Sequence, residues 1–194
     1  MNTRLAIFAS GAGSNAQKII DHFRNSEKVE IAFILCNKPG AGVLEIAQKE
    51  AIDHLLIDKE QYKKDGYASF LTEKGIDFII LAGFLLKIPP VLIEAFPNRI
   101  INIHPALLPN YGGKGMYGHF VHEAVICNKE TESGITIHYV DEQYDHGTTI
   151  FQARCAVSPE DTPGTLAQKI HALEHAHFAR VIEELINRQA GDRE

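Results

Sequence analysis

The sequence predicts an α/β fold built on a doubly wound, mostly parallel sheet, and three observations carry that reading. Short aliphatic or β-branched runs alternate with amphipathic segments from the N-terminus to about residue 104. Those runs are largely continuous in their apolar character, as in strands covered on both faces. A glycine turn, Gly11-Ala12-Gly13, follows the first run and leads into a helix, the order expected of a parallel strand–helix unit.

Leu5–Ala9 is the first predicted strand and Asn15–Phe23 the first helix. Val29–Leu35, Val43–Glu50 and His54–Ile57 continue as strand, helix and strand. Gln61–Lys74 reads as one helix, Phe78–Leu81 as a strand, Pro89–Phe96 as a helix opened by prolines, and Ile100–His104 as the next strand. After Pro109 the rhythm changes. Asn110–Gly118 is rich in glycine and tyrosine without a period, His119–Cys127 reads as a helix, and Gly134–Tyr139 and Thr149–Val157 alternate as strands. Two alternating strands so close in sequence predict an antiparallel addition. Thr165–Arg188 forms a long C-terminal helix with apolar positions at Leu166, Ile170, Leu173, Ala176, Val181 and Leu185. No linker, repeat or low-complexity tract interrupts the pattern, so residues 1–194 are expected to form one domain.

Composition narrows the function classes. A net charge of −6 gives no general attraction to nucleic acid, so small-molecule partners are expected. Cys36, Cys127 and Cys155 are odd in number and widely spaced, with no C-x-x-C pair, which argues against a disulfide framework and a structural zinc site. The apolar run before Gly11 is too short for a signal peptide, and no run approaches the roughly 20 residues that span a bilayer. A soluble, cytoplasmic protein with no membrane partner is expected.

Two polar residues interrupt the strand Ile100–His104. Asn102 and His104 are two apart and so share one face of an extended chain. Pro105 cannot donate to a ladder, which ends the strand at the imidazole. The first glycine turn has two readings: a tight connection capped by Ser14 or Asn15, or a phosphate cradle of backbone N–H groups at a helix N-terminus. Gly11, Gly13 and Ala16 also satisfy the dinucleotide fingerprint, but Leu35 leads into Cys36-Asn37-Lys38 where an NAD unit needs an acidic residue.

His171-Ala172-Leu173-Glu174-His175 fits the H-x-x-E-H zinc pattern, yet no third ligand is evident, and His119 and His122 complete no set. No metal is expected. The loop Asp141–Gly147 carries three carboxylates between alternating strands. An Asn, a His and an Asp from separate elements suit attack of an amine on an acyl carbon, with donors for the oxyanion and a carboxylate for the proton. Bland readings are a satisfied strand-end His104 and a simple turn at Asp145-His146-Gly147.

Five segments together resemble the glycinamide ribonucleotide formyltransferases of purine biosynthesis: SGAGSN at 10–15, LAGF at 81–84, NIHPALLP at 102–109, GITIHYVDEQYDHGTTIFQ at 134–152 and LEHAHF at 173–178. The resemblance covers nearly the whole chain, and NIHPALLP with the later D-x-G-x-x-I-x-Q is its specific part. It implies a Rossmann-like formyltransferase fold and transfer of a formyl group from 10-formyltetrahydrofolate, as co-substrate, to the amine of 5-phosphoribosylglycinamide. Asn102, His104 and Asp145 fall on the catalytic positions. Gly11, Ala12, Gly13, Ser14 and Asn15 match the substrate-phosphate loop, and Glu174 matches a substrate-binding carboxylate. Lys64, Leu85, Leu86, Lys87, Ile88, Val140 and Asp141, with Asn102 and Asp145, fall on the folate side. The phosphate-binding half is then about 1–100 and the folate and catalytic half about 101–194.

Two departures stand out: Leu85-Leu86-Lys87-Ile88 replaces a common Met-Arg after Gly83-Phe84, and the segment Tyr111–Gly118 is longer than the family's short loop. Methionyl-tRNA formyltransferases and formyltetrahydrofolate hydrolases share the same Asn, His and Asp. The tRNA enzymes add a C-terminal domain and need basic surface, and the hydrolases carry an N-terminal regulatory domain, whereas here the first strand begins by Leu5 and the chain ends at Glu194. A non-catalytic sensor of a phosphorylated metabolite would need the glycine turn without the Asn102, His104 and Asp145 set.

Overall fold

The computed structural model describes residues 2–65 and 67–191, and the chain separates into two compact units, residues 1–102 and 103–194. In the first unit the strands are β1 (Thr3–Ala9), β2 (Val29–Cys36), β3 (His54–Leu56), β4 (Phe78–Leu81) and the start of β5 (Ile100–His104). They pair in parallel in the order β3-β2-β1-β4-β5. Leu5 to Ala9 and all of β4 are buried, which explains why these runs are apolar throughout: both faces are covered. The three-residue β3 forms the edge, where few backbone groups are left unpaired.

The helices of this unit are α1 (Ser14–Phe23), α2 (Gly42–Lys49), α3 (Lys59–Asp65), α4 (Ala68–Glu73) and α5 (Pro90–Ala95). Two expectations are corrected here. The segment predicted as one helix over 61–74 is two, because Tyr67 takes a left-handed φ of 61 and its N–H is accepted by the Asp65 carboxylate. That local side-chain bond competes with helix continuation. Neither Ser14 nor Asn15 caps α1: Gly13 is its N-cap, at φ 83, with no side-chain cap.

The order reverses between β1 and β4, so the first unit has a switch point at the carboxyl ends of those strands, the place where α/β sheets bind ligands. Ser10, buried just past β1, ties the ends of three strands together. Its hydroxyl donates to Asn37 Oδ1 at 2.5 Å and accepts the Leu85 N–H at 2.9 Å, while its own N–H donates to the Gly83 carbonyl.

The second unit contains the end of β5, then α6 (His119–Cys127), β6 (Glu132–Tyr139), β7 (Thr149–Ala156) and α7 (Pro163–Gly191). β6 and β7 are antiparallel, as their alternation predicts, and their register slips at Ile137/His138. Thr136, fully buried on β6, donates to the Ala106 carbonyl and accepts from the Leu108 N–H, and Gln152 of β7 donates to both Thr136 Oγ1 and the Leu108 carbonyl. These bonds fix the chain leaving His104 against the hairpin. The apolar stripe of α7 differs from expectation: Ala176 is exposed and Leu173 half-buried, whereas Leu166, Ile170, Phe178, Ile182 and Ile186 are buried four residues apart. Glu174 occupies the missing place in that row, 6% exposed. Among the described residues no helix is long and apolar enough to cross a membrane.

Candidate active site

Three ionisable side chains converge in the second unit. His104 ends β5 and is 3% exposed, Asp145 lies in the β6–β7 connection, and His138 sits at the register slip of β6. Irregularities of this kind re-aim side chains beside functional sites. His104 Nδ1 is 3.5 Å from Asp145 Oδ1, and His138 Nε2 is 3.8 Å from the same oxygen. The other Asp145 oxygen accepts the Gly113 N–H at 2.9 Å. His104 Nε2 donates to the Tyr111 carbonyl at 2.8 Å, and His138 Nδ1 donates to the Tyr139 carbonyl at 2.8 Å. Asn102 precedes His104 by two residues on β5, so strand alternation puts both on one face.

A cleft of about 460 Å³ opens beside Asp145, lined by Pro109, Gly112, Gly113, Tyr144 and Thr149 among others. That volume lies within the usual range for small-molecule sites, roughly 300–1,000 Å³. Asp145 holds φ 53, a left-handed conformation that aspartate tolerates better than most residues and that clusters at functional sites. Of the residues expected on the folate side, Asp141 bonds His146 Nδ1 at 2.7 Å and the Gln143 N–H at 2.8 Å rather than joining the His104 cluster. Burial works to raise the Asp141 carboxyl, but the His146 and Gln143 bonds hold it below its ordinary value.

Glu174 bonds His171 Nδ1 at 3.0 Å across one turn of α7, and this bond raises the His171 pKa against the effect of burial. His171 and His175 stack with ring centres 6.3 Å apart. Among the described residues no group of three His, Cys, Asp or Glu is arranged to hold a metal. On α6, His122 is buried with Nδ1 lacking a hydrogen-bond partner, and burial, aided by the nearby His171, lowers its pKa. Burial likewise lowers His138, outweighing the raising effects of the Tyr139 bond and Asp145.

These shifts give a pH dependence of stability. A histidine whose pKa is lower folded than unfolded binds its proton more readily unfolded, so its contribution is present above about pH 6.5 and lost as pH falls towards the folded value. His171, shifted upward, has the opposite sign and loses its contribution as pH rises through its folded value. His122 and His138 each contribute a fall of Tm between pH 7.5 and 5.5, and His171 opposes it. His122→Gln should flatten that fall, and an unchanged slope would remove His122 from the account.

In the first unit the loop Ser10–Asn15 presents its chain at the N-terminus of α1, with Gly11, Ala12 and Ser14 exposed. The Val43 N–H donates to the Gly11 carbonyl, so the start of α2 braces the loop. Lys64 lies exposed on α3, and the same helix carries Tyr62, whose hydroxyl donates to the Lys87 carbonyl at 3.2 Å. That bond places α3 beside the segment Leu85–Ile88, in which Leu85 is exposed and Ile88 buried.

The formyl transferase family profile matches residues 3–182. The chain belongs to the formyl transferase family. This formyl transferase is 34% identical over 189 residues to the phosphoribosylglycinamide formyltransferase of Bacillus subtilis, covering 94% of each chain. It is 40% identical over 186 residues to the chloroplastic phosphoribosylglycinamide formyltransferase of Arabidopsis thaliana, covering 92% of itself and spanning 64% of that protein's length. The crystal structure of phosphoribosylglycinamide formyltransferase from Bacillus halodurans matches it with TM-score 0.86 at 37% identity over 95% of both chains. The Rossmann-like fold expected from the resemblance is therefore the fold observed. In this formyl transferase several residues have structural jobs that sequence reasoning did not assign: in the first unit Ser10 joins strand ends, and in the second Thr136 and Gln152 hold the chain after His104, while Tyr111 and Gly113 contact His104 and Asp145 through backbone groups. The quoted motif SGAGSN and the segment ending in Gln152 contained the first three, but nothing in their types announced the partners.

Proposed function

We propose that this chain transfers the formyl group of 10-formyltetrahydrofolate to the amine of 5-phosphoribosylglycinamide, as a cytoplasmic enzyme of purine biosynthesis. The observation that carries this reading is the buried His104 facing Asp145 at 3.5 Å beside an open cleft, at the carboxyl end of a strand. The substrate amine attacks the formyl carbon, and negative charge develops on the formyl oxygen. Protonated His104 and the Asn102 amide donate to that oxygen. Asp145 takes up the amine's proton, directly or through water. Collapse breaks the bond to the folate nitrogen, which takes up the proton that Asp145 accepted from the amine. The loop Gly11–Asn15 holds the substrate phosphate through backbone N–H groups, and Glu174 holds the substrate's polar groups. Lys64, the segment Leu85–Ile88, Val140 and Asp141 serve the folate, with Asn102 and Asp145 at its reactive end.

The test is consumption of 10-formyltetrahydrofolate by the purified chain with and without the glycinamide nucleotide. Turnover is expected only with the nucleotide present and unimpaired by a chelator. Formate release without the nucleotide would favour the hydrolase reading instead. Formylation of methionyl-tRNA in preference to the nucleotide would favour the tRNA enzyme, and absence of all turnover a metabolite sensor.

A further inference from the structure

Tyr111 combines three features for which the catalytic reading has no use. Its backbone takes φ 57, in the left-handed region that a bulky side chain rarely adopts. Its phenol donates to Glu130 Oε1 at 2.6 Å and accepts from Asn128 Nδ2 at 2.9 Å, so residues just past α6 grip the far end of the ring. Its carbonyl accepts the His104 Nε2–H at 2.8 Å. Two residues later the Gly113 N–H donates to Asp145 at 2.9 Å. An unfavourable backbone conformation persists only where the surroundings over-determine it, and the two phenol bonds do so.

We propose that Tyr111 is a positioning residue for formyl transfer: its phenol, pinned by Glu130 and Asn128, holds its carbonyl against His104 Nε2 and so leaves Nδ1 as the nitrogen that addresses the formyl oxygen. This rests on the assignment of His104 and Asp145 to the reaction. A carbonyl only accepts, so Nε2 carries a proton for as long as the bond lasts. Nδ1 is then protonated only in the imidazolium. It lies 3.5 Å from Asp145 Oδ1, close enough for charge attraction but outside the usual N–H···O range of about 2.7–3.2 Å. Its N–H is therefore directed by the carboxylate yet remains available to a third group. A ring released from Tyr111 turns or exchanges tautomers, and part of the population then presents the wrong nitrogen.

Tyr111→Phe keeps the ring and deletes both phenol bonds. We expect kcat to fall roughly 10- to 100-fold, on the scale of a lost orienting contact, with both KM values within about twofold. Glu130→Ala should lower kcat in the same way, and Glu130→Gln, which keeps an acceptor, should restore most of it. In ¹⁵N-histidine NMR of the full chain, the hydrogen-bonded Nε2–H of His104 should be visible in the parent and lost in Tyr111→Phe. Parent-like kcat in Tyr111→Phe, with Asp145→Asn inactive, overturns the role of Tyr111 and leaves the catalytic pair standing. A lowered kcat with the His104 Nε2–H signal intact also overturns it, since the effect then bypasses His104. Full activity in both Tyr111→Phe and Asp145→Asn overturns the pair, and this inference with it. If Tyr111→Phe does not fold, equal kcat in Glu130→Ala and Glu130→Gln overturns the anchor.

Discussion

Asp145→Asn is expected to lower kcat by roughly 10²- to 10⁴-fold while leaving the dissociation constants of both substrates nearly unchanged. The substitution is nearly isosteric, and asparagine tolerates the left-handed φ of 53 as well as aspartate does. The Gly113 N–H, now 2.9 Å from a carboxylate oxygen, keeps an acceptor in the amide oxygen. The amide nitrogen then faces His104 Nδ1 and donates to it, which favours the neutral ring and removes the proton intended for the oxyanion. One substitution thus costs both the base and the charged donor. For the same reason Asp145→Asn combined with His104→Ala should cost far less than the product of the single losses, because groups acting as a unit are not additive. Pre-steady-state turnover of the folded variants is the measurement. Near-normal kcat in Asp145→Asn would move the proton to His138, 3.8 Å from the same oxygen, or to an ordered water.

What was legible in the sequence is what local periodicity governs. The strands Phe78–Leu81 and Ile100–His104 and the helix His119–Cys127 occur with the predicted bounds, because each is short, regular and ended by its own proline, glycine or polar residue. His104 at a strand end was legible from Pro105 and strand alternation, whereas its pairing with Asp145 in particular rested on the resemblance, since the two are far apart in sequence. The jobs of Thr136 and Gln152 were not legible, as their partners Leu108 and Ala106 lie 28 to 44 residues away in sequence. The burial of Glu174 was not legible for a different reason. The apolar pattern of α7 was read through Leu173 and Ala176, whereas the buried row runs 166, 170, 174, 178, 182, and it includes a carboxylate. A carboxylate on a core row is costly to bury, and here Glu174 bonds His171 Nδ1 at 3.0 Å. The resemblance supplies Glu174 itself, and reading every fourth residue without skipping the charged one would have shown that it is buried. Tyr111 opens a segment whose length stands out in the sequence, but its contact with His104 left no trace there, because it is made by a backbone carbonyl, which every residue type possesses.

Gly13→Ala is expected to raise the KM for the nucleotide roughly 10- to 100-fold, the loss of one hydrogen bond to a charged group, with the folate KM within about twofold. Gly13 holds φ 83 at the start of α1, a conformation that costs an alanine about 1–2 kcal/mol. A Cβ there would also lie 2.8 Å from Ile46 Cδ1, 2.9 Å from Val43 Cα and 3.0 Å from Val43 Cβ. The isoleucine tip can move, but Val43 Cα is backbone at the start of α2, and its N–H is the one that donates to the Gly11 carbonyl. The added methyl therefore pushes the loop off its brace and turns the backbone N–H groups of Gly11–Asn15 away from the direction that α1 gives them. Gly11→Ala is the control: no atom lies within 4 Å of its Cβ position, so that variant should melt like the parent. Binding of each substrate measured by calorimetry on folded Gly13→Ala separates the cases. A selective loss of nucleotide affinity supports the phosphate cradle, and equal losses for nucleotide and folate would mean that the glycine serves only the packing of the loop on α2.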